Sequence, residues 1–477
     1  MLRQPFSSAL ISARRALLPS LVAAAWAMPA WSADLLTITQ DALNNNAALG
    51  SAQAVTRSTK AARDAEQGNL LPQINAKGNV AHSEQFERQS RQGPAGAEDD
   101  SVNRVSVTLE ATQALFDAIN SRQVTKAERQ IDQQLYQLAA TEQDVLINVA
   151  SAYFEILRAH EILEARRAQE RAIGRQLEQA QEQFDVGLIA ITEVEEAQAR
   201  FDQSRAERIA AQSDLQVSFE ALERLTGTRY LSIDALGEDV PVEPPTPNDR
   251  HRWVELAVEK NPTVLASQAG VDVSQSNVDI ARANRLPTVN AFANYNYDDN
   301  DADGVDDYNS DGQVGVQVSL PLYTGGTTTA VIRQNTYLLE SSQYDFEDQR
   351  RETVQQVRSR YTQVSNNVST VEARRQAIVS NQSALDATRA GYEVGTRNIV
   401  DVLDAEQNLY NAMADYASAR YDYVINLLAL RQQAGVLDVA ALEKVNGWLG
   451  QDSVSFTLPE EDDDSVTRIG KRPTREQ

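Results

Sequence analysis

The sequence predicts a mostly α-helical chain with a membrane β-barrel part. It is built as two similar halves, each in the order helix, β-hairpin, very long helix, helix. Three observations carry this reading. Landmarks recur: Phe184-Asp185-Val186-Gly187 returns as Tyr392-Glu393-Val394-Gly395, an offset of 392 − 184 = 208. Asn69-Leu70-Leu71-Pro72 returns as Asn284-Arg285-Leu286-Pro287, an offset of 287 − 72 = 215, and Leu115-Phe116-Asp117 as Leu322-Tyr323-Thr324, an offset of 322 − 115 = 207. A near-constant period in the same order marks a duplicated unit. Four stretches of about ten residues alternate apolar and polar, the length and period of tilted membrane strands. Two stretches of about 65 residues almost free of helix breakers would each make a helix roughly 100 Å long, far beyond globular practice.

Residues 1–32 read as a secretory signal. Arg3, Arg14 and Arg15 form a basic start, Ala16 to Met28 is apolar, and Ala30-Trp31-Ser32 suits cleavage after Ser32. The apolar run is too short to span a bilayer. The first repeat covers 33–227. It opens with a helix over 37–67, which holds no proline. A hairpin over 72–116 follows. In it Ile74, Ala76, Gly78 and Val80 oppose Asn75, Lys77 and Asn79, and Val105, Val107, Leu109 and Ala111 oppose Ser106, Thr108, Glu110 and Thr112. The long helix over 118–184 is interrupted only by Gly174, and its partner spans 191–225 beyond the turn at Gly187.

Residues 228–250 link the halves. Pro241, Pro244, Pro245 and Pro247 make this segment extended. The second repeat covers 251–451. Its hairpin, 287–323, alternates Val289, Ala291, Ala293, Tyr295 and Tyr297 against Asn290, Asn294 and Asn296, with Phe292 breaking the polar face. Val314, Val316, Val318 and Leu320 alternate with Gln313, Gln317 and Ser319. The long helix over 329–392 carries a seam, Val354, Val357, Tyr361, Val364, Val368 and Val371, continued by Ile378, Leu385 and Tyr392. Such a 3.5-residue repeat demands a partner helix. The helix over 399–434 offers one through Val400, Leu403, Tyr410, Ala417, Tyr421 and Val424. The tail, 452–477, is acidic then basic and reads as disordered.

Composition excludes several classes of function. A net charge of −24 and a pI near 4.6 oppose nucleic acid as a partner. With no cysteine there is no disulfide, thiolate metal site or lipid-bearing N-terminal cysteine. His82, His160 and His251 are far apart. With no phosphate-cradling loop or nucleophile motif either, the sequence points to no enzyme and no cofactor. Four strands cannot close a membrane barrel, and an unclosed sheet leaves backbone groups unpaired in hydrocarbon. If the strands lie in a membrane, copies of the chain must therefore share a barrel. Two copies supply eight strands, which fill their own interior; three supply twelve, which leave a lumen.

At Phe184 to Val194, at Gly391 to Ala405, and at Leu320-Pro321-Leu322-Tyr323-Thr324-Gly325-Gly326 the chain resembles the TolC family of outer-membrane channel proteins, on its non-lipidated side. The resemblance spans about residues 34–450. It implies a homotrimer, with a 12-stranded barrel in outer-membrane lipid of a Gram-negative bacterium joined to a 12-helix periplasmic tunnel. A periplasmic adaptor and an inner-membrane pump would dock at the helical end. The passive duct would serve drug efflux, type I protein secretion, or both. By the same resemblance Asp401 and Asp404, three apart on one helix face, form carboxylate rings at the periplasmic entrance. Thr192, Glu193, Tyr392 and Arg397 form a gate latch. Arg397 would bind Thr192 and Glu193 of the neighbouring protomer, and Tyr392 would bind Glu193 within its own. The family pattern has Asp where this chain has Glu193, one methylene longer.

The acidic loop 298–312 lies outside the family pattern. Asp299, Asp301 and Asp303 with Gly304 have the spacing that opens a calcium loop, and Asp307, Asn309 and Asp311 with Gly312 repeat it. Neither run has the closing Glu or flanking helices, which favours a plain solvated loop. The alternative for the whole chain is a periplasmic coiled-coil adaptor or scaffold that never enters a membrane.

Overall fold

The structure, a computed structural model, describes residues 32–84, 101–237, 240–300 and 307–455. The first repeat runs α1 (Leu35–Asn45), α2 (Ala47–Gly68), β1 (Gln73–Glu84), β2 (Ser101–Phe116), α3 (Ala118–Asp185) and α4 (Ile191–Thr226). The link carries β3 (Ser232–Leu236). The second repeat runs α5 (Arg250–Lys260), α6 (Pro262–Ala283), β4 (Thr288–Asn300), β5 (Asp307–Ser319), α7 (Thr327–Glu393) and α8 (Ile399–Gln433), followed by α9 (Val439–Asn446) and β6 (Leu449–Ser455). No helix among the described residues is long and apolar enough to cross a membrane.

The two hairpins join into one antiparallel sheet, in the order β1-β2-β4-β5. Its register fixes what each face shows, because residues directly opposite in an antiparallel pair share a face. Ile74 faces Ala111, Ala111 faces Ala293, and Ala293 faces Val314. Next to that row, Ala76, Leu109, Tyr295 and Gly312 align, then Gly78, Val107, Tyr297 and Ser310. The other face aligns Asn75, Glu110, Asn294 and Gln313, then Lys77, Thr108, Asn296 and Asp311. The apolar rows are bare: Val80 is 80% exposed and Val314 84%. Phe292, the exception on the polar face, lies over Gly315, where a Cβ would come within 2.8 Å of its ring.

The helix expected over 37–67 is broken at Asn46, and the physical reason recurs in the second half. Asn46 Oδ1 accepts from the backbone N–H groups of Ala48 and Leu49, capping α2, while its Nδ2 donates to the Leu225 carbonyl at the end of α4. Asn261 Oδ1 does the same for Thr263 and Val264 at the start of α6, and its Nδ2 donates to the Gln433 carbonyl at the end of α8. The offset is 261 − 46 = 215, that of the Leu-Pro landmark. Each Asn thus satisfies orphan donors of one helix and an orphan acceptor of another.

The long helices end as the repeat requires. At the end of α3 the Leu188 N–H reaches back to the Gln183 carbonyl, and at the end of α7 the Thr396 N–H reaches back to that of Gly391. Gly187 and Gly395 both have φ of +76°, the left-handed closing turn that glycine permits. The α7 seam is buried at Val357, Val364, Val371 and Leu385, against α8. In α3, Val149, Ile156, Leu163, Ile173, Leu177 and Ala180 are buried, whereas Phe184 is exposed. Gly174 leaves room for Phe201 of α4, whose ring would lie 3.3 Å from a Cβ there.

One boundary differs from the sequence reading. The tail expected to be disordered from residue 452 continues as β6 to Ser455, antiparallel to β3. In the described part of the link, side chains of the helices take up backbone polar groups. The Tyr153 hydroxyl donates to the Asp234 carbonyl, Arg420 to that of Gly237, Tyr423 to that of Glu243, and Trp253 Nε1 to that of Pro247. Residues 1–31, the expected signal, and residues from 456 onward lie outside the described residues.

Candidate gate at the helical tip

The turns at Gly187 and Gly395 bring the ends of the pairs α3–α4 and α7–α8 together. A small core holds them: Ile173, Leu177 and Ala180 of α3, Ala197 of α4, and Ile399 and Leu403 of α8. Glu193 and Asp401 are equivalent positions, 401 − 193 = 208, and both occupy the third residue of their helices, where an acid is favoured by the unpaired N–H groups. In α8 this is a capping box. Asn398 Oδ1 accepts the Asp401 N–H at 2.8 Å, and Asp401 Oδ2 accepts the Asn398 N–H at 3.2 Å. In α4 the corresponding cap is Ala190, which has no side-chain bond to give.

The expected gate residues lie at this tip, and one of them, Tyr392, has a different partner from the one expected. The Tyr392 hydroxyl donates to Gln183 Oε1 of α3 at 2.9 Å, not to Glu193. Burial, and then the Glu193 carboxylate nearby, hold its phenol above the usual pKa. Arg397 Nη1 lies 3.8 Å from Asp401 Oδ2 of its own turn. Gly391 makes room for that arginine, since a Cβ there would meet Arg397 Cγ at 2.8 Å. Thr192 is exposed beside Glu193.

Asp404 is not a free carboxylate. Arg200 Nη2 of α4 reaches its Oδ1 at 2.9 Å. The sequence reading also missed Glu406, two residues further on along α8 and 0% exposed. Arg389 Nη2 of α7 lies 2.7 Å from Glu406 Oε1, and Gln176 Nε2 of α3 donates to the same oxygen at 3.4 Å. Glu406 Oε2 and Arg389 Nε are buried without partners. The signal in the sequence was an acid on the apolar stripe of α8, between Leu403 and Leu409. Burial of the neighbouring Tyr410, and then the Glu406 charge, raise that phenol's pKa.

No group of three or more acidic or histidine side chains that could hold a metal occurs among the described residues. Of the calcium-loop candidates, Asp301 and Asp303 lie outside the described residues, Asp299 is in β4, and Asp307 and Asp311 are in β5. The acidic loop is shorter than its expected 298–312, because the strands pair as far as Asn300 with Asp307. Asp307, Asn309 and Asp311 therefore sit at alternate positions of an extended strand instead of wrapping a centre.

The family model described as outer membrane efflux protein matches residues 38–228 and 253–436, both repeats. The chain belongs to the outer membrane efflux protein family. Within that family it is 36% identical, over 443 residues, to the outer membrane protein TolC of Vibrio cholerae, covering 91% of this chain and 98% of that one. It is 35% identical to the alkaline protease secretion protein AprF of Pseudomonas aeruginosa over 71% of each chain. The fold matches the CmeC outer membrane channel of Campylobacter jejuni with a TM-score of 0.70 at 16% identity, over 92% of this chain and 97% of that one. This outer membrane efflux protein thus shares its architecture with a solved outer-membrane channel and its sequence with a TolC and a protease secretion protein.

Proposed function

We propose that three copies of this chain form one passive duct in the outer membrane, used for drug efflux, type I protein secretion, or both. The sheet is the observation that carries the reading. Its rows of Ile74, Ala111, Ala293 and Val314 and of Ala76, Leu109 and Tyr295 face outward with nothing of the described chain upon them, and β1 and β5 stand at open edges. A bilayer satisfies the apolar face and neighbouring protomers satisfy the edges, since unpaired strand edges are not tolerated in hydrocarbon. Three sheets give 3 × 4 = 12 strands, and 3 × 4 long helices line the tunnel below. Exposed Tyr337, Leu338 and Tyr344 on α7 await the neighbouring protomer. A coiled-coil adaptor outside the membrane would leave the apolar rows without an occupant.

The tips of the two helix pairs are the periplasmic entrance. Asp401 and Asp404 ring it three times over. In the trimer Arg397 reaches Thr192 and Glu193 of the neighbour, while Tyr392 with Gln183 closes each protomer upon itself. A periplasmic adaptor and an inner-membrane pump engage this end, as expected for a duct with no energy source or catalytic step of its own. The test is the mass of the detergent-solubilised protein together with its behaviour in planar lipid bilayers. Three chains per particle and discrete conducting events are expected. A monomer soluble without detergent would overturn the reading.

A further inference from the structure

The two acids of the entrance are held in different ways. Both partners of Asp401, the Asn398 N–H and Arg397, belong to its own turn and move with it. Asp404 is answered from the other helix pair. Arg200 of α4 gives Nη2 to Asp404 Oδ1 at 2.9 Å and Nη1 to Gln407 Oε1 at 3.2 Å, both on α8, while its Nε lies 3.5 Å from Glu196 Oε1 on its own helix. The guanidinium is thus engaged on three sides, its side chain 28% exposed against 51% for Asp404. A fork that spans two side chains of one helix sets a geometry that a point charge would not. Near the tip, the other polar ties between the pairs are the neutral bond from Tyr392 to Gln183 and a longer one from Gln176 of α3 to Glu406 of α8 at 3.4 Å. The pair of Arg389 with Glu406 lies within α7–α8, so it survives when α8 leaves α4.

We infer that Arg200 is the clasp that joins α4 to α8 at the entrance and cancels the Asp404 charge for as long as they stay joined. The entrance then has two charge states. With the helix pairs together, Asp404 is neutralised and cation binding falls to Asp401. With the pairs apart, Asp404 loses its arginine and both acids face the opening. A multivalent cation binds the second state better and blocks it. The proposal rests on the channel reading but adds to it a residue and a state dependence.

The experiment compares the full-length protein with Arg200→Gln, with Asp404→Asn, and with the exchange Arg200→Glu plus Asp404→Arg. Three quantities are read: conductance in planar bilayers, block by lanthanum ions added on the side of the helical end, and amide hydrogen exchange over residues 191–205. Arg200→Gln raises conductance and exchange, and lowers the lanthanum concentration for half-block by about tenfold, since Asp404 of each protomer is freed of its counter-charge. Asp404→Asn raises conductance and exchange as well, yet raises the blocking concentration. The charge exchange restores low conductance and slow exchange. Wild-type conductance, block and exchange in Arg200→Gln overturn the inference. So does a charge exchange as open as Arg200→Gln, which marks a merely structural loss. If the wild type itself conducts nothing, the channel reading fails, while hydrogen exchange still decides the clasp.

Discussion

The pair of Arg389 and Glu406 offers the sharpest test of what holds the tip. Glu406 is fully buried, with Arg389 at 2.7 Å and Gln176 at 3.4 Å, while the Arg389 side chain is 39% exposed. Arg389→Met removes the only cation paired with Glu406 among the described residues. Breaking a fully buried pair costs about 3–5 kcal/mol, because the remaining charge is left uncompensated. Water reaching the partly exposed arginine site and the bond from Gln176 reduce this to about 2 kcal/mol. That corresponds to about a thirtyfold rise in local opening. The assay is amide hydrogen exchange over residues 402–413, beside Leu403 and Leu409, in the intact protein. Adding Glu406→Leu to Arg389→Met removes the stranded charge and extends the apolar stripe of α8, so exchange returns to within about threefold of wild type. Wild-type exchange in Arg389→Met would refute the reasoning, as would a double variant no slower than the single one.

Three further outcomes are expected. Asp34→Ala removes the cap of α1, whose Oδ1 accepts the Thr37 N–H at 2.9 Å, and costs about 1 kcal/mol at neutral pH. Burial alone would raise the Asp34 pKa, but the bonds from Thr37 and Asn446 outweigh it and leave it lowered, so this stability is present above the ordinary carboxylate value of 3.8 and lost as pH falls below it; melting of both proteins across that range should show the difference vanish in acid. Gly315→Val puts a Cβ within 2.8 Å of the Phe292 ring, an overpacking of about 1 kcal/mol or more that lowers the melting temperature in detergent, and Phe292→Ala added to it recovers the loss. Tyr392→Phe and Gln183→Leu each remove the same bond of about 1 kcal/mol, so both raise bilayer conductance and their combination raises it no further; additive effects would show that the two side chains act apart.

The repeat, the strand faces and the long helices were legible because each is a periodic signal. The alternation at Ile74 and Val105 states which side chains share a face, and the register puts them in one row once β2 pairs with β4. That pairing joins the halves, and no local pattern announces it. The break at Asn46 was missed because Asn inside an alanine-rich run carries little weight, although its twin Asn261 stands before a proline. The order of β6 was hidden for a similar reason: a short, mostly polar strand takes its stability from pairing with β3 and from burial of Val454. At the gate, residue types were legible and partners were not. Tyr392 has Glu193 and Gln183 within reach of one turn, and the choice depends on side-chain packing. Arg200 and Asp404 are 404 − 200 = 204 residues apart, with no motif joining them.

Polar ties between the two helix pairs follow α8 from its tip upward, and their character changes along the way. Nearest the tip are Tyr392 with Gln183 and Arg200 with Asp404, both part-exposed. Midway, Arg166 donates to Asn411 at 2.8 Å. Higher still, Glu161 accepts from Arg420 at 3.2 Å and from Tyr421 at 2.5 Å, and Arg158 meets Asp422 at 3.0 Å. There Tyr153, Phe154 and Tyr421 are buried in one aromatic cluster, with ring centroids 5.5 and 6.4 Å apart. These aromatic side chains belong to the large buried cluster, whereas the tip core has only six buried residues, Ile173, Leu177, Ala180, Ala197, Ile399 and Leu403, two of them alanines. Local stability therefore rises from tip to belt. On the proposed duct, separation of the pairs is expected to start at the tip and to stop below Tyr421, where β3 and β6 lie against the helices. The proposed entrance needs such a gradient to open without loosening the strands, and the side chains that one helix pair shows to the other supply it.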